Sequence, residues 1–317
     1  MADSIGAPFR RSSEPGPAAS PFQAPRLTLR WPTLSDVRSY WPHLLILSVL
    51  LLLLYGQICI KLVSDWYALP DFSHGFLVPF FVLFILWEKR HTLAGTSRVP
   101  SWTGILLVAL SLVTLLMGVY GAELFFSRTS LVLLLAGIVW TLCGLAVLRE
   151  LQFAFFVLCL GIPIPAVIFN QITFPLQLLA SKAASSVLPV LGVPVLQQGN
   201  VIQLASMQLE VAEACSGIRS LLSLFTVAVL YGYLTEKTTR DRVILGLASI
   251  PIAVLANIAR ITGTGLCVQY WDPQKALGFF HEFSGWLMFL VSLVCLELVR
   301  QALHWGHAKH TKKEQRA

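Results

Sequence analysis

The chain has 317 residues, of which 56% are apolar and only 12% charged, with a net charge of +7. Ordinary globular chains carry roughly 25% charged residues, and the mean hydropathy here is +0.72. These values exclude a disordered chain, a collagen-like chain, a small disulfide scaffold and a typical cytosolic enzyme. They leave a polytopic membrane protein built on a helical bundle, because lipid satisfies no backbone polar group outside helices and closed barrels.

Residues 1–40 hold six prolines and little apolar periodicity, and read as a disordered cytoplasmic tail. No cleavable signal is evident, since the first apolar run starts after residue 42 and is long enough to remain as an anchor. A helix needs about 20 residues to cross about 30 Å of hydrocarbon. Uncharged runs lie between Arg38 and Lys61, Asp71 and Glu88, Arg98 and Glu123, Arg128 and Arg149, and Glu150 and Lys182. Three more lie between Arg219 and Glu236, Arg242 and Arg260, and Glu282 and Glu297. This pattern predicts an all-α, polytopic integral membrane bundle of about eight transmembrane helices over residues 41–303. The second, sixth, seventh and eighth runs are short, so their end residues snorkel or sit in polar pockets. The fifth is too long for one span. Pro163, Pro165 and Pro175 punctuate it, which predicts a helix to about residue 168 and an outer interfacial segment over 169–213. That segment has an amphipathic stretch from Phe174 to Leu191, then Gly192, Pro194 and a short alternating run from Val201 to Val211, readable as a small hairpin lying on the membrane. No internal repeat and no soluble domain is visible, and 304–317 is a basic cytoplasmic tail.

The basic charge is explained by topology. With the N-terminus in the cytoplasm, the inner segments hold Arg10, Arg11, Arg26, Arg30, Arg38, Lys89, Arg90, Arg98, Arg149, Lys237, Arg240, Arg242, Arg300, Lys309, Lys312, Lys313 and Arg316. These are 17 of the 23 Lys and Arg, as the positive-inside rule requires. The lipid bilayer is therefore the expected partner of the positive charge, and nucleic acid is not.

On the same topology the unusual polar residues fall at the outer face. Asp71 and His74 open the second span, and Glu123 ends the third. Glu213, Cys215, Ser216 and Arg219 open the sixth. Asn257 and Arg260 close the seventh, while His281 and Glu282 open the eighth. Helix ends collect polar residues in any membrane protein, but a set containing Cys, His and Arg has the composition of an active site, and an Arg inside a span needs a partner or a function. Of the six cysteines, Cys59, Cys143, Cys159 and Cys295 sit in Leu/Val surroundings and read as packing residues. Cys215 differs, standing in Glu213-Ala-Cys-Ser-Gly-Ile-Arg219 at the start of a helix, where the helix N-terminus and nearby cations favour thiolate. A Cys215–Cys267 disulfide is the structural alternative. No CxxC or Cys/His zinc spacing occurs, so neither a metal nor a cofactor is expected.

Three stretches, VAEACSGIRSLLSL (211–224), PIAVLANIARITGTG (251–265) and HEFSGWLMF (281–289), resemble the exosortase/archaeosortase family of membrane transpeptidases. The resemblance extends to DFSHGFLVP (71–79), GIPIP (161–165) and the Gly-x-Pro-Val and Gly-Asn-x-Ile pieces within 192–202, and covers roughly residues 40–300. It implies an exosortase-like transmembrane domain over 41–303 with catalytic Cys215, Arg260 and His281. Asp71, His74, Glu123, Glu213, Arg219 and Asn257 are supporting or substrate-binding candidates. The family is understood to process exported proteins whose C-terminal sorting signal is a Pro-Glu-Pro-type (PEP-CTERM) motif, a transmembrane helix and a basic cluster, often alongside exopolysaccharide production. By resemblance, the location is the bacterial inner membrane, with the active site on the periplasmic face and both termini cytoplasmic.

The chemistry fits those residue types. Acyl transfer needs a nucleophile, a proton shuttle and oxyanion stabilisation. Cys215 supplies the first, His281 the second, and Arg260, which stays protonated, a fixed cation for the third. A serine protease using His281 lacks a supporting Gly-x-Ser-x-Gly pattern. A non-catalytic membrane component of polysaccharide export or biosynthesis is the alternative; a transporter-like version of it predicts paired half-repeats or mid-membrane charges, and neither is visible.

Overall fold

The structure, a computed structural model, describes residues 34–211, 217–271 and 279–314. The elements are α1 (Leu34–Ala68), a 3-10 segment (Pro70–Phe76), α2 (Leu77–Glu88), α3 (Arg90–Gly95), α4 (Gly104–Tyr120), α5 (Leu124–Cys143), α6 (Leu145–Leu160) and α7 (Ala166–Val190). Then follow β1 (Leu196–Gln198), β2 (Val201–Gln203), β3 (Gln208–Glu210), α8 (Gly217–Thr235), α9 (Thr239–Tyr270) and α10 (Phe279–Glu314).

A helix occupies every one of the eight uncharged runs. Among the described residues five helical stretches are both long and apolar enough to cross a membrane: Trp41–Ala68, Pro70–Glu88, Leu124–Cys143, Thr239–Tyr270 and Phe283–His307. The helices α4 and α8 are apolar but shorter, and α6 carries Arg149 and Glu150 in its first turns. Large apolar side chains such as Leu53, Phe80, Leu106 and Leu255 face outward, as they must in a bundle whose solvent is hydrocarbon. The chain is therefore an all-α polytopic membrane bundle.

Close packing of α4 on α5 depends on small residues, because apolar lipid gives helices no hydrophobic reason to associate. A methyl group at Gly104 or Gly118 would overlap Thr141 or Ser127 on α5, and one at Gly137 would overlap Val108 on α4. On α1, the Tyr55 hydroxyl meets Ser130 Oγ at 3.0 Å, and Asp65 accepts from Arg128 at 2.5 Å. Helix α1 begins at Leu34, ahead of the expected boundary at 41, and α10 continues as a helix through the basic end to Glu314.

Three features differ from expectation. Helix α6 stops at Leu160 rather than near 168, because Gly161-Ile-Pro-Ile-Pro removes backbone donors and pushes the residues before each proline out of helical geometry. The chain restarts at Ala166 as α7, a 25-residue helix with Pro175 and Pro189 inside it. Second, α9 does not close at Arg260 but continues to Tyr270. The Thr262 and Thr264 hydroxyls donate to the carbonyls of Ile258 and Arg260, so polar residues are accommodated within the helix. Third, the alternating run forms the expected antiparallel hairpin, β2-β3, but β1, which precedes that run, adds a strand and makes a three-stranded meander. Its inward residues Ile202 and Leu209 are buried with Ala184 and Leu188 of α7 and Ile261 and Val268 of α9. Residues 169–211 are thus a cap with its own small core, seated on the extension of α9.

Candidate active site

The stretches singled out by sequence meet at the capped end of the bundle. After α1, the 3-10 segment folds back, fixed by Trp66. Its indole Nε1 donates to the Gly161 carbonyl at 2.7 Å, and its ring meets Phe76 edge-on at 5.6 Å. Gly75 lies flat against the indole, where any Cβ would overlap it. His74 is buried; its Nε2 pairs with the Leu160 carbonyl at 3.2 Å, and its Nδ1 makes no full hydrogen bond. Phe72 packs on Phe169 of α7 at 5.6 Å. In this way DFSHGFLVP and GIPIP, some ninety residues apart, become one surface (|i−j| = 86 for the His74 contact).

A second junction joins that surface to α8. Arg219 Nε donates to Asp71 Oδ1 at 3.3 Å across 148 residues of sequence. Both were expected at the outer face, and the structure brings them into contact.

The third junction is between α9 and α10. Arg260 is 8% exposed. A Cβ built at Gly285 would stand 3.4 Å from the guanidinium carbon, so the α10 backbone passes directly over this cation. His281 lies four residues earlier in α10, one turn along the same helical face. Asn257 lies one turn before Arg260 on α9. Its Oδ1 has no hydrogen-bond partner among the described residues, and it lines a cavity of ≈ 20 Å³ with Thr173 and Gln177 of α7 and Leu221 of α8. That volume accommodates about one water molecule.

Cys215 and Glu213 lie outside the described residues, as does the expected approach of the Cys215 sulfur to His281; α8 begins at Gly217, two residues after Cys215. The remaining cysteines, Cys59, Cys143, Cys159, Cys267 and Cys295, are free. Glu123 is the N-cap of α5, accepting from Phe125 N at 3.4 Å. Among the described residues no cluster of three His, Cys, Asp or Glu is arranged to hold a metal. Trp66, Thr173 and Gln177 were not singled out by sequence. Trp66 carried a signal, being an indole beside a predicted helix end, where its N–H must find an acceptor.

Bundle, cap and convergent polar end define a polytopic helical membrane protein with a polar site at one end of its spans. The chain belongs to the transmembrane exosortase family: the family model described as "Transmembrane exosortase (Exosortase_EpsH)" matches residues 66–298, most of the chain. Comparisons with curated proteins and with solved structures give no match.

Proposed function

We propose that this exosortase is a membrane cysteine transpeptidase or protease that cleaves the C-terminal sorting signals of exported proteins at the outer face of the bacterial inner membrane. Cys215, as thiolate, attacks the scissile carbonyl. The carbon–nitrogen bond breaks, the leaving amine takes a proton from His281, and an acyl thioester remains. An amine or water then attacks the thioester, gives its proton to His281 and releases the thiolate. Arg260 stabilises the oxyanion of both tetrahedral intermediates. Asp71, His74, Arg219 and Asn257 shape the surface beside this centre, and Glu213 precedes the nucleophile in the same stretch. The substrate's tail helix, with its basic end in the cytoplasm, presents its Pro-Glu-Pro-type motif at the depth of the site.

The observation that carries this reading is the buried Arg260 of α9 held under Gly285, a residue one helical turn after His281 on α10, with α9 packed against α8, which begins at Gly217, two residues after Cys215. Cys215→Ala is expected to leave a tagged substrate uncleaved on an immunoblot while the enzyme stays abundant. Cys215→Ser is expected to be nearly as inactive, because a hydroxyl is far less ionised than a thiol at neutral pH. Cys143→Ala and Cys159→Ala retain processing. A normal cleavage rate in Cys215→Ala refutes the mechanism.

A further inference from the structure

At the opposite end of the bundle, α6 and α9 part and leave a groove of ≈ 470 Å³ whose floor is α8. Its deep wall is aromatic and aliphatic: Phe153 and Phe156 from α6, Phe225 and Val229 from α8. The other end is polar, with Thr239 and Arg242 from the first turn of α9 and Gln152 from α6. Arg242 is held rigidly there. Its Nε donates to the Glu236 carbonyl at 2.9 Å, and its guanidinium stands over the Tyr233 ring at 4.9 Å. Tyr233 is in turn stacked on Phe153, 4.2 Å away and within 6° of parallel. The two terminal amino groups of Arg242 have no hydrogen-bond partner among the described residues. Of the acidic groups near this end, Glu88 bonds the Tyr233 hydroxyl and Glu150 is paired with Lys89 at 3.0 Å. The groove therefore combines an apolar channel with a fixed, open cation at its end.

We propose that this groove binds an anionic phospholipid, with the phosphate on Arg242, further polar contacts from Thr239 and Gln152, and an acyl chain along the phenylalanine wall. Basic pockets between transmembrane helices at the cytoplasmic side are suited to such headgroups, and the volume is that of a small-molecule site. A transmembrane helix of another protein fits poorly. A helix with a basic cytoplasmic end would bring like charge to Arg242.

The test uses the full chain in nanodiscs of phosphatidylcholine containing a minor fraction of phosphatidylglycerol, with a photo-crosslinking residue in place of Phe156, and reads adducts by mass spectrometry. Phosphatidylglycerol is expected to be captured about fivefold above its mole fraction, the preference one cation confers, and Arg242→Gln removes that preference. At Gly246 a Cβ meets only Val229 at 3.6 Å and Phe225 at 3.9 Å. Gly246→Leu therefore enters the groove without backbone collision and is expected to abolish capture of both lipids, which keeps the test decisive if Arg242→Gln fails to fold. Capture of the two lipids in proportion to their mole fractions overturns the proposal. So does a preference that survives Arg242→Gln, or undiminished capture in Gly246→Leu.

Discussion

Two arginines near the site differ in how much of their value is structural. Arg219 and Asp71 are 51% and 28% exposed as side chains, and ion pairs of that exposure contribute about 0–1 kcal/mol. Their contact across the junction of α8 with the 3-10 segment is therefore poorly explained by stability. Arg219→Gln and Asp71→Asn should each change the thermal midpoint in detergent little, yet lower substrate processing about tenfold, a barrier change of about 1.4 kcal/mol. The charge-swapped double variant Asp71→Arg/Arg219→Asp should recover part of the loss. Unchanged processing in both single variants would reduce the pair to surface decoration. Arg260 is buried, and its planar fork lies under the Gly285 backbone. Lysine brings the charge without the fork, so Arg260→Lys should abolish processing while the protein remains in the membrane at normal level. Normal cleavage by that variant would remove Arg260 from the mechanism.

At the scale of elements, the association of α1 with α5 rests on a buried ion pair with unequal support. Arg128 is 3% exposed, and its one salt-bridge partner among the described residues is Asp65. Asp65 also has Lys61 at 3.2 Å, one turn earlier on α1. Breaking a buried pair costs about 3–5 kcal/mol when a charge is stranded, whereas replacing both partners with apolar residues is often neutral. Asp65→Leu should therefore destabilise more than Arg128→Met, which leaves Asp65 its lysine. The double variant Asp65→Leu/Arg128→Met should recover most of the loss, as read by thermal unfolding in detergent; equal cost in the two single variants would contradict this account. This pair also marks the limit of what sequence showed. Exclusion of charge from hydrocarbon is strong enough that uncharged runs located a helix in all eight positions. For the same reason Arg128 read as a flanking charge and Asp65, beyond the Lys61 that ended the first run, drew no reading, since a run that stops at a charge cannot show that the helix continues and pairs it. The end of α6 at Leu160 and the extension of α9 to Tyr270 depend on prolines and on a cap core assembled from α7, the meander and α9, and these are tertiary facts. The site was legible as a set of polar helix ends. Its internal pairing, with Asp71 on Arg219 and Arg260 under Gly285, was not, because periodicity gives the face a residue occupies and not what lies opposite.

Over the whole molecule, the two ends of the bundle have different chemistry. One end carries the cap, Arg260 and the 3-10 segment. The other carries the Lys89–Glu150 pair and a cluster on α8 and α10 in which Tyr231 and Arg300 bond Glu297 and His304 meets the buried Glu236 at 2.9 Å. Helix α8, 19 residues long, separates these ends by about 28 Å, close to the thickness of the hydrocarbon core. Sequence assigns 17 of the 23 basic residues to the second end and the tails that follow it, so we expect from the positive-inside rule that this end is cytoplasmic and the cap outside. With the expected eight spans, both termini would then lie inside. Single cysteines in an otherwise cysteine-free chain test this. Ser206→Cys, between β2 and β3, and Lys237→Cys, between α8 and α9, are both at exposed positions. A membrane-impermeant maleimide applied to intact spheroplasts should label Ser206→Cys at once and Lys237→Cys only after permeabilisation. Cysteines placed in the two terminal tails should behave like Lys237→Cys. The outcome bears on mechanism as well as topology, because an enzyme that acts on exported tails must hold its nucleophile on the side where those tails emerge. Labelling of Lys237→Cys in intact spheroplasts, with Ser206→Cys silent until permeabilisation, would put Arg260 and His281 on the cytoplasmic side and deny the thioester chemistry its substrate.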